Sequence, residues 1–181
     1  MVDPPLVERA LEIEGRLGFE RSCTREVGML LHVLAAQRGR ERVGELGTGC
    51  GLGAAWIVSA LPPTVRFVTV ELDETMAQAA AELFAADENV RVLQGDWHEL
   101  MPPEAPFDLL FLDSGKQHPE IDGEEVVGLL APGATIFMDD LTPARPGPDP
   151  VREFWLNHPE IAAVEILTTA ETAAIVGARA G

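Results

Sequence analysis

Residues 45–53 read Glu45-Leu46-Gly47-Thr48-Gly49-Cys50-Gly51-Leu52-Gly53. Glycine takes every second position from 47 to 53. Such a run lets the backbone take positive φ angles and lets the main chain approach a ligand closely. The flanks say what kind of loop it is. Residues 42–46 form a short strand that runs into the glycines, and residues 53–61 form an apolar helical stretch stopped by Pro62-Pro63. Strand, glycine loop and helix together open a βαβ unit, whose loop and helix start are a ready ligand cradle.

Working outward, the same alternation repeats. Residues 65–70 form an apolar, β-branched strand, and Asp73 caps an alanine-rich helix over 73–86. A strand follows at 90–93, then a nearly all-apolar strand at 107–112, as expected when both faces of a sheet are covered. A helix over 120–130 ends at Pro132-Gly133, a buried strand follows at 134–138, and 150–157 is a short helix. Strands at 163–168 and 172–178 have only three residues between them, which suits an antiparallel hairpin and not a parallel crossover. Ahead of the loop lie an amphipathic helix at 4–17, with Leu6, Ala10, Leu11 and Ile13 on one side, and a second at 25–36 capped by Thr24. The pattern predicts an α/β fold. It is a Rossmann-like three-layer sandwich whose seven-stranded, mostly parallel sheet closes with a C-terminal antiparallel hairpin. We expect one domain over 1–181, with N-terminal helices at 1–40 and the core at 41–181.

Composition limits the partners. The chain has 181 residues and carries 30 acidic against 13 basic side chains, a net charge of −17. That field repels polyanions, so nucleic acid is excluded as a partner. No apolar stretch reaches the roughly 18 residues of a membrane span, so no membrane partner is expected. Two cysteines make no disulfide framework, and residues 1–5 show no basic, apolar leader, so a cytoplasmic location is expected. Twelve of the thirteen basic residues are arginine; the one lysine is Lys116.

The acids are placed as well as numerous. Ligands of doubly wound sheets bind outside the carboxyl ends of the strands. Glu45, Glu71, Asp96, Asp113 and Asp139-Asp140 stand at or just beyond the five parallel strand ends. The string Gly49-x-Gly51-x-x-Ala54 satisfies a dinucleotide pattern, but Glu45 would face a pyrophosphate unfavourably. S-adenosylmethionine (SAM) carries a sulfonium and an ammonium and no phosphate, so an acidic pocket suits it. The Glu-x-Gly-x-Gly-x-Gly form at 45–51 resembles the class I SAM-dependent methyltransferases, and the likeness runs over roughly residues 20–180. It implies cofactor contacts from Glu45, Gly47, Thr48, Gly49, Gly51 and Gly53. It also implies that Glu71, with Leu72 beside it, binds the ribose hydroxyls, that Asp96 and Trp97 bound the adenine, and that Asp113 closes the cofactor site.

A second group concerns the reaction. Asp113-Ser114-Gly115-Lys116 follows the fourth strand and Asp139-Asp140 the fifth, and these ends are neighbours in a doubly wound sheet. Clustered carboxylates repel unless protons or a cation intervene, and oxygen ligands suit Mg²⁺ or another hard divalent cation. Successive strand residues point to opposite faces, so Asp139 and Asp140 can share an ion only if the chain leaves strand geometry there. These segments resemble the cation-dependent O-methyltransferases of the catechol and caffeoyl-CoA type. The resemblance implies metal ligands Asp113, Asp139 and Asp140, the last being Asn in that family, and Lys116 as the base. His98 and His118 are alternative bases. The function implied is SAM-dependent O-methylation of a small, catechol-like acceptor, with a homodimer as an expected assembly. The rivals are a metal-independent methyltransferase on the same fold, a non-catalytic SAM-binding protein and a nucleotide-dependent oxidoreductase. Residues 141–150 carry four prolines, which suit a substrate-shaping lid or a stiff connection equally.

Overall fold

A computed structural model describes residues 2–20, 22–113 and 123–181. The strands are β1 (Arg42–Leu46), β2 (Arg66–Glu71), β3 (Val90–Gln94), β4 (Phe107–Leu112), β5 (Leu130–Leu141), β6 (Ile161–Leu167) and β7 (Ala173–Arg179). They lie in the order β3-β2-β1-β4-β5-β7-β6. β1 to β5 pair in parallel, and β7 runs antiparallel to both β5 and β6. The expected Rossmann-like sheet with its closing hairpin is the one observed. Strand order reverses between β1 and β4, which puts the topological switch point beside the glycine loop.

The layers follow from period-two alternation along the strands. Phe67, Leu109, Phe111 and Phe137 face one side, where they meet α1 (Pro5–Leu17), α2 (Arg25–Ala35), α3 (Leu52–Val58) and α4 (Glu74–Leu83). Val68, Val70, Leu110, Leu112, Ile136 and Met138 face the other side, against α5 (Trp97–Leu100), α6 (Gly123–Gly128) and α7 (Pro150–Asn157). All seven residues of α3 are buried, so this helix is core on every side. It sits so close to α2 because residue 28 is glycine. A Cβ there would lie 2.1 Å from Trp56 Nε1.

Caps behave as their side chains predict. Thr24 accepts from the Val27 N–H, Asp73 from Met76 and Asp149 from Arg152. Arg152 also pairs with Asp149 and Glu165 and donates to the Thr142 carbonyl, tying the start of the proline-rich segment to the hairpin.

Two expectations need correction. The helix expected at 120–130 occupies Gly123–Gly128 among the described residues, and β5 already begins at Leu130, which pairs with Phe107. Pro132-Gly133 does not end the helix. It forms an irregularity inside β5, with Gly133 at φ 78, after which the ladder resumes at Leu109 and Thr135. The short helix α5 was not anticipated, because four residues show no periodicity.

Candidate cofactor and metal site

The glycine loop leaves β1 and turns back over β2. The N–H groups of Gly47 and Thr48 both donate to the Val70 carbonyl, and that of Gly51 donates to the Thr48 carbonyl. Gly47, Gly49 and Gly51 have φ angles of 92, 53 and 98, which side chains with a Cβ rarely adopt. Glu71, closing β2, accepts from the Gly49 N–H at 2.7 Å through Oε2 and from the Asp73 N–H at 2.9 Å through Oε1. One carboxylate therefore joins the loop to the start of α4. Leu72, beside it, is 71% exposed.

Glu45, at the end of β1 just before the glycines, is turned into the protein. It is fully buried. Thr48 Oγ1 donates to Thr69 Oγ1 at 2.5 Å, and Thr69 Oγ1 donates to Glu45 Oε2 at 2.6 Å. The other oxygen, Oε1, has no hydrogen-bond partner among the described residues, and a Cβ on Gly53 would lie 2.8 Å from it. Burial pushes the Glu45 carboxyl well above the ordinary carboxylate range. The Thr69 bond works against this, and the charges of Asp113, Glu71 and Asp139 add to it. Thr69 is a site residue that the sequence reading missed; its signal was a lone hydroxyl in the otherwise apolar run 67–70. Phe19 was also missed. Its ring lies over the loop, with Cε1 3.1 Å from where a Gly49 Cβ would be.

At the β3 end, Asp96 caps α5 by accepting from the His98 N–H, and the His98 ring donates to the same carboxylate from Nδ1 at 2.7 Å. These two bonds, the backbone one first, hold the Asp96 carboxyl below its usual range. Trp97 stacks on His98 with ring centroids 3.7 Å apart. His98 is thus engaged by Asp96, and its Nε2 lies 3.7 Å from Glu125 Oε2 on α6.

Asp113, Asp139 and Asp140 come together, each offering a carboxylate oxygen within 4.8 Å of the others. Asp139 is buried, Asp113 half-buried and Asp140 exposed. The geometric condition on the pair is met by a left-handed residue. Asp140 has φ 59, and the β5–β7 register shifts between Met138 and Leu141, so the chain leaves strand geometry there. Three converging carboxylates are an oxygen donor set fit for a hard divalent cation. Lys116 and His118, with Ser114 and Gly115, lie outside the described residues.

Across the sheet the acids run Asp96, Glu71, Glu45, Asp113, then Asp139-Asp140, one strand apart. At about 4.8 Å per strand this spans about 19 Å, room for an elongated ligand lying across the strand ends.

A family model described as a methyltransferase domain matches residues 45–141, from the glycine loop to the end of β5. The chain belongs to this family. The chain is 32% identical over 127 residues to catechol O-methyltransferase B of Danio rerio, a match covering 64% of this chain and 48% of that protein. It spans about half the length of the curated relatives it matches. Among solved structures, the O-methyltransferase TomG of Streptomyces achromogenes, in complex with SAM, superposes with a TM-score of 0.82 at 24% identity, covering 99% of this chain and 91% of that one. An O-methyltransferase of Bacillus cereus in complex with SAH gives 0.83 at 20% identity, covering 99% and 92%. These two likenesses bear on the fold. No described helix is long and apolar enough to cross a membrane.

Proposed function

We propose that the protein transfers a methyl group from SAM to a hydroxyl of a small, catechol-like acceptor, with a divalent cation held by Asp113, Asp139 and Asp140. The convergence of those three carboxylates next to the glycine loop carries this reading. The glycine loop and Glu71 would hold the cofactor across β1 and β2. The orphaned Glu45 Oε1 behind Gly53 adds a polar atom still in need of a partner at the loop's base. When bound, SAM supplies an electrophilic methyl carbon on a sulfonium, and a divalent cation supplies charge that lowers the pKa of a neighbouring hydroxyl. Lys116, three residues beyond Asp113, is our candidate base. In its neutral form it takes the hydroxyl proton at Nζ. The acceptor oxygen then forms its bond to the methyl carbon as the carbon–sulfur bond breaks, leaving SAH. Holding both partners in line supplies much of the rate. A reducing, cytoplasmic setting and a homodimer complete the proposal.

Turnover with SAM and a catechol panel tests it, with and without EDTA. Methylation that EDTA abolishes and Mg²⁺ restores supports the reading. Activity untouched by EDTA leaves a metal-independent methyltransferase, and SAM binding without turnover on any acceptor leaves a binding protein.

A further inference from the structure

The arginines are unevenly partnered. Arg25, Arg91, Arg152 and Arg179 each meet a carboxylate. Three others gather at the amino ends of the central strands, at the opposite edge of the sheet from the glycine loop, and the two that are hydrogen-bonded, Arg40 and Arg42, have neutral acceptors. Arg40 donates to the carbonyls of Leu34 and Asp108, to Gln37 Oε1 at 2.9 Å and to Thr135 Oγ1 at 3.0 Å. Arg42 donates to the carbonyls of Glu104 and Ala105. Arg66 is exposed. Arg42 and Arg66 are in register on the parallel strands β1 and β2, so both side chains leave the same face of the sheet about 4.8 Å apart. Like charges placed so repel. Three acids stand near, of which Glu104 is paired with Arg91. The Asp108 carboxylate is turned to the backbone, where Oδ2 accepts from the N–H groups of Glu41 and Arg42 at 2.7 and 2.8 Å, and Glu41 is exposed.

These residues line a recess of about 780 Å³, with Thr64 on its wall. Arg40 is half-buried, and that burial pushes its guanidinium below its ordinary pKa, partly offset by Asp108. We infer that the recess binds a small multivalent oxyanion, gripped between Arg42 and Arg66. Guanidinium forks match the planar or tetrahedral oxygens of carboxylate and phosphate groups. The remaining surface is acidic enough to turn away a polymer, so the ligand is one that fits within the recess.

The test is calorimetric titration of the full chain, free of divalent metal, with inorganic pyrophosphate and separately with citrate, ionic strength being fixed with NaCl. Saturable one-site binding of either is expected, pyrophosphate alone marking a phosphoryl site and citrate alone a carboxylate site. Arg66→Glu should weaken it by at least about tenfold. Arg66→Ala should weaken it less, and both variants should keep the native circular dichroism, because the Arg66 side chain is exposed. No saturable heat with either anion, or binding by both variants as tight as the parent's, overturns the site.

Discussion

The two ends of the sheet are built from the same strands and carry opposite charge. At the carboxyl ends stand Glu45, Glu71, Asp113, Asp139 and Asp140, around a loop of positive-φ glycines. At the amino ends, one strand length away, stand Arg40, Arg42 and Arg66 around an open recess. β1 alone begins with Arg42 and has Glu45 next to its last residue. A net charge of −17 therefore conceals a segregation, and total charge is a poor guide to what either end attracts. The ends also differ in how they carry charge. The acids converge on one another, whereas two of the arginines are tied to neutral oxygens and one faces water.

Removing a charge from the acidic end should cost most. Asp139→Ala is expected to lower methyl transfer by about 100-fold or more, since a lost ligand to a catalytic cation costs at least what its outer-shell partners do. Asp140→Asn is a contrasting control. It keeps an oxygen, and Asn is among the few residues that tolerate φ 59, so its loss should be about tenfold at most. Equal damage from both would sink the unequal roles given to the buried and exposed members. Next in size is Gly53→Ala. Its Cβ would meet Glu45 Oε1 at 2.8 Å and Phe111 Cε1 at 3.0 Å, so a loss of about 1–3 kcal/mol in denaturant unfolding is expected, with weakened SAM binding.

The acidic end was legible in the sequence because its signals are local. Glycines alternate beside an acid, and each strand end carries its own carboxylate. The left-handed turn at Asp140 was legible only as a condition, since no residue type there demands it. The amino-end recess was illegible because Arg42 and Arg66 are far apart in the chain and meet only through strand register. The inward turn of Glu45 was hidden for a related reason. The hydroxyl that receives it, Thr69, belongs to another strand. The start of β5 was misjudged because Pro-Gly, a common stop signal, is here absorbed inside a strand as an irregularity.

Glu45 gives a subtler handle on the acidic end. Its folded-state pKa is raised, so the native chain holds a proton that the unfolded chain releases first. Stability should then fall as pH rises from the ordinary carboxylate range towards the folded value. Glu45→Gln removes that dependence. In EDTA, its unfolding midpoint should gain on the parent as pH rises above the ordinary carboxylate range. A constant difference across that rise would mean that Glu45 ionises in the folded protein as readily as in the unfolded one.

The smallest effect belongs to the amino end. If Arg42 and Arg66 repel when no anion lies between them, Arg66→Glu should raise stability in anion-poor buffer by about 0.5 kcal/mol, by turning an in-register repulsion into an attraction. The gain should shrink as NaCl is added, because exposed charges are screened within about a Debye length. Pyrophosphate should stabilise the parent and not the variant, reversing their order at high ligand, whereas SAM affinity should stay the same in both. An Arg66→Glu variant that is no more stable than the parent at low salt would mean that the two guanidinium groups already avoid each other in water. The amino end would then be an ordinary solvated rim, and the contrast between the two ends would be one of composition alone.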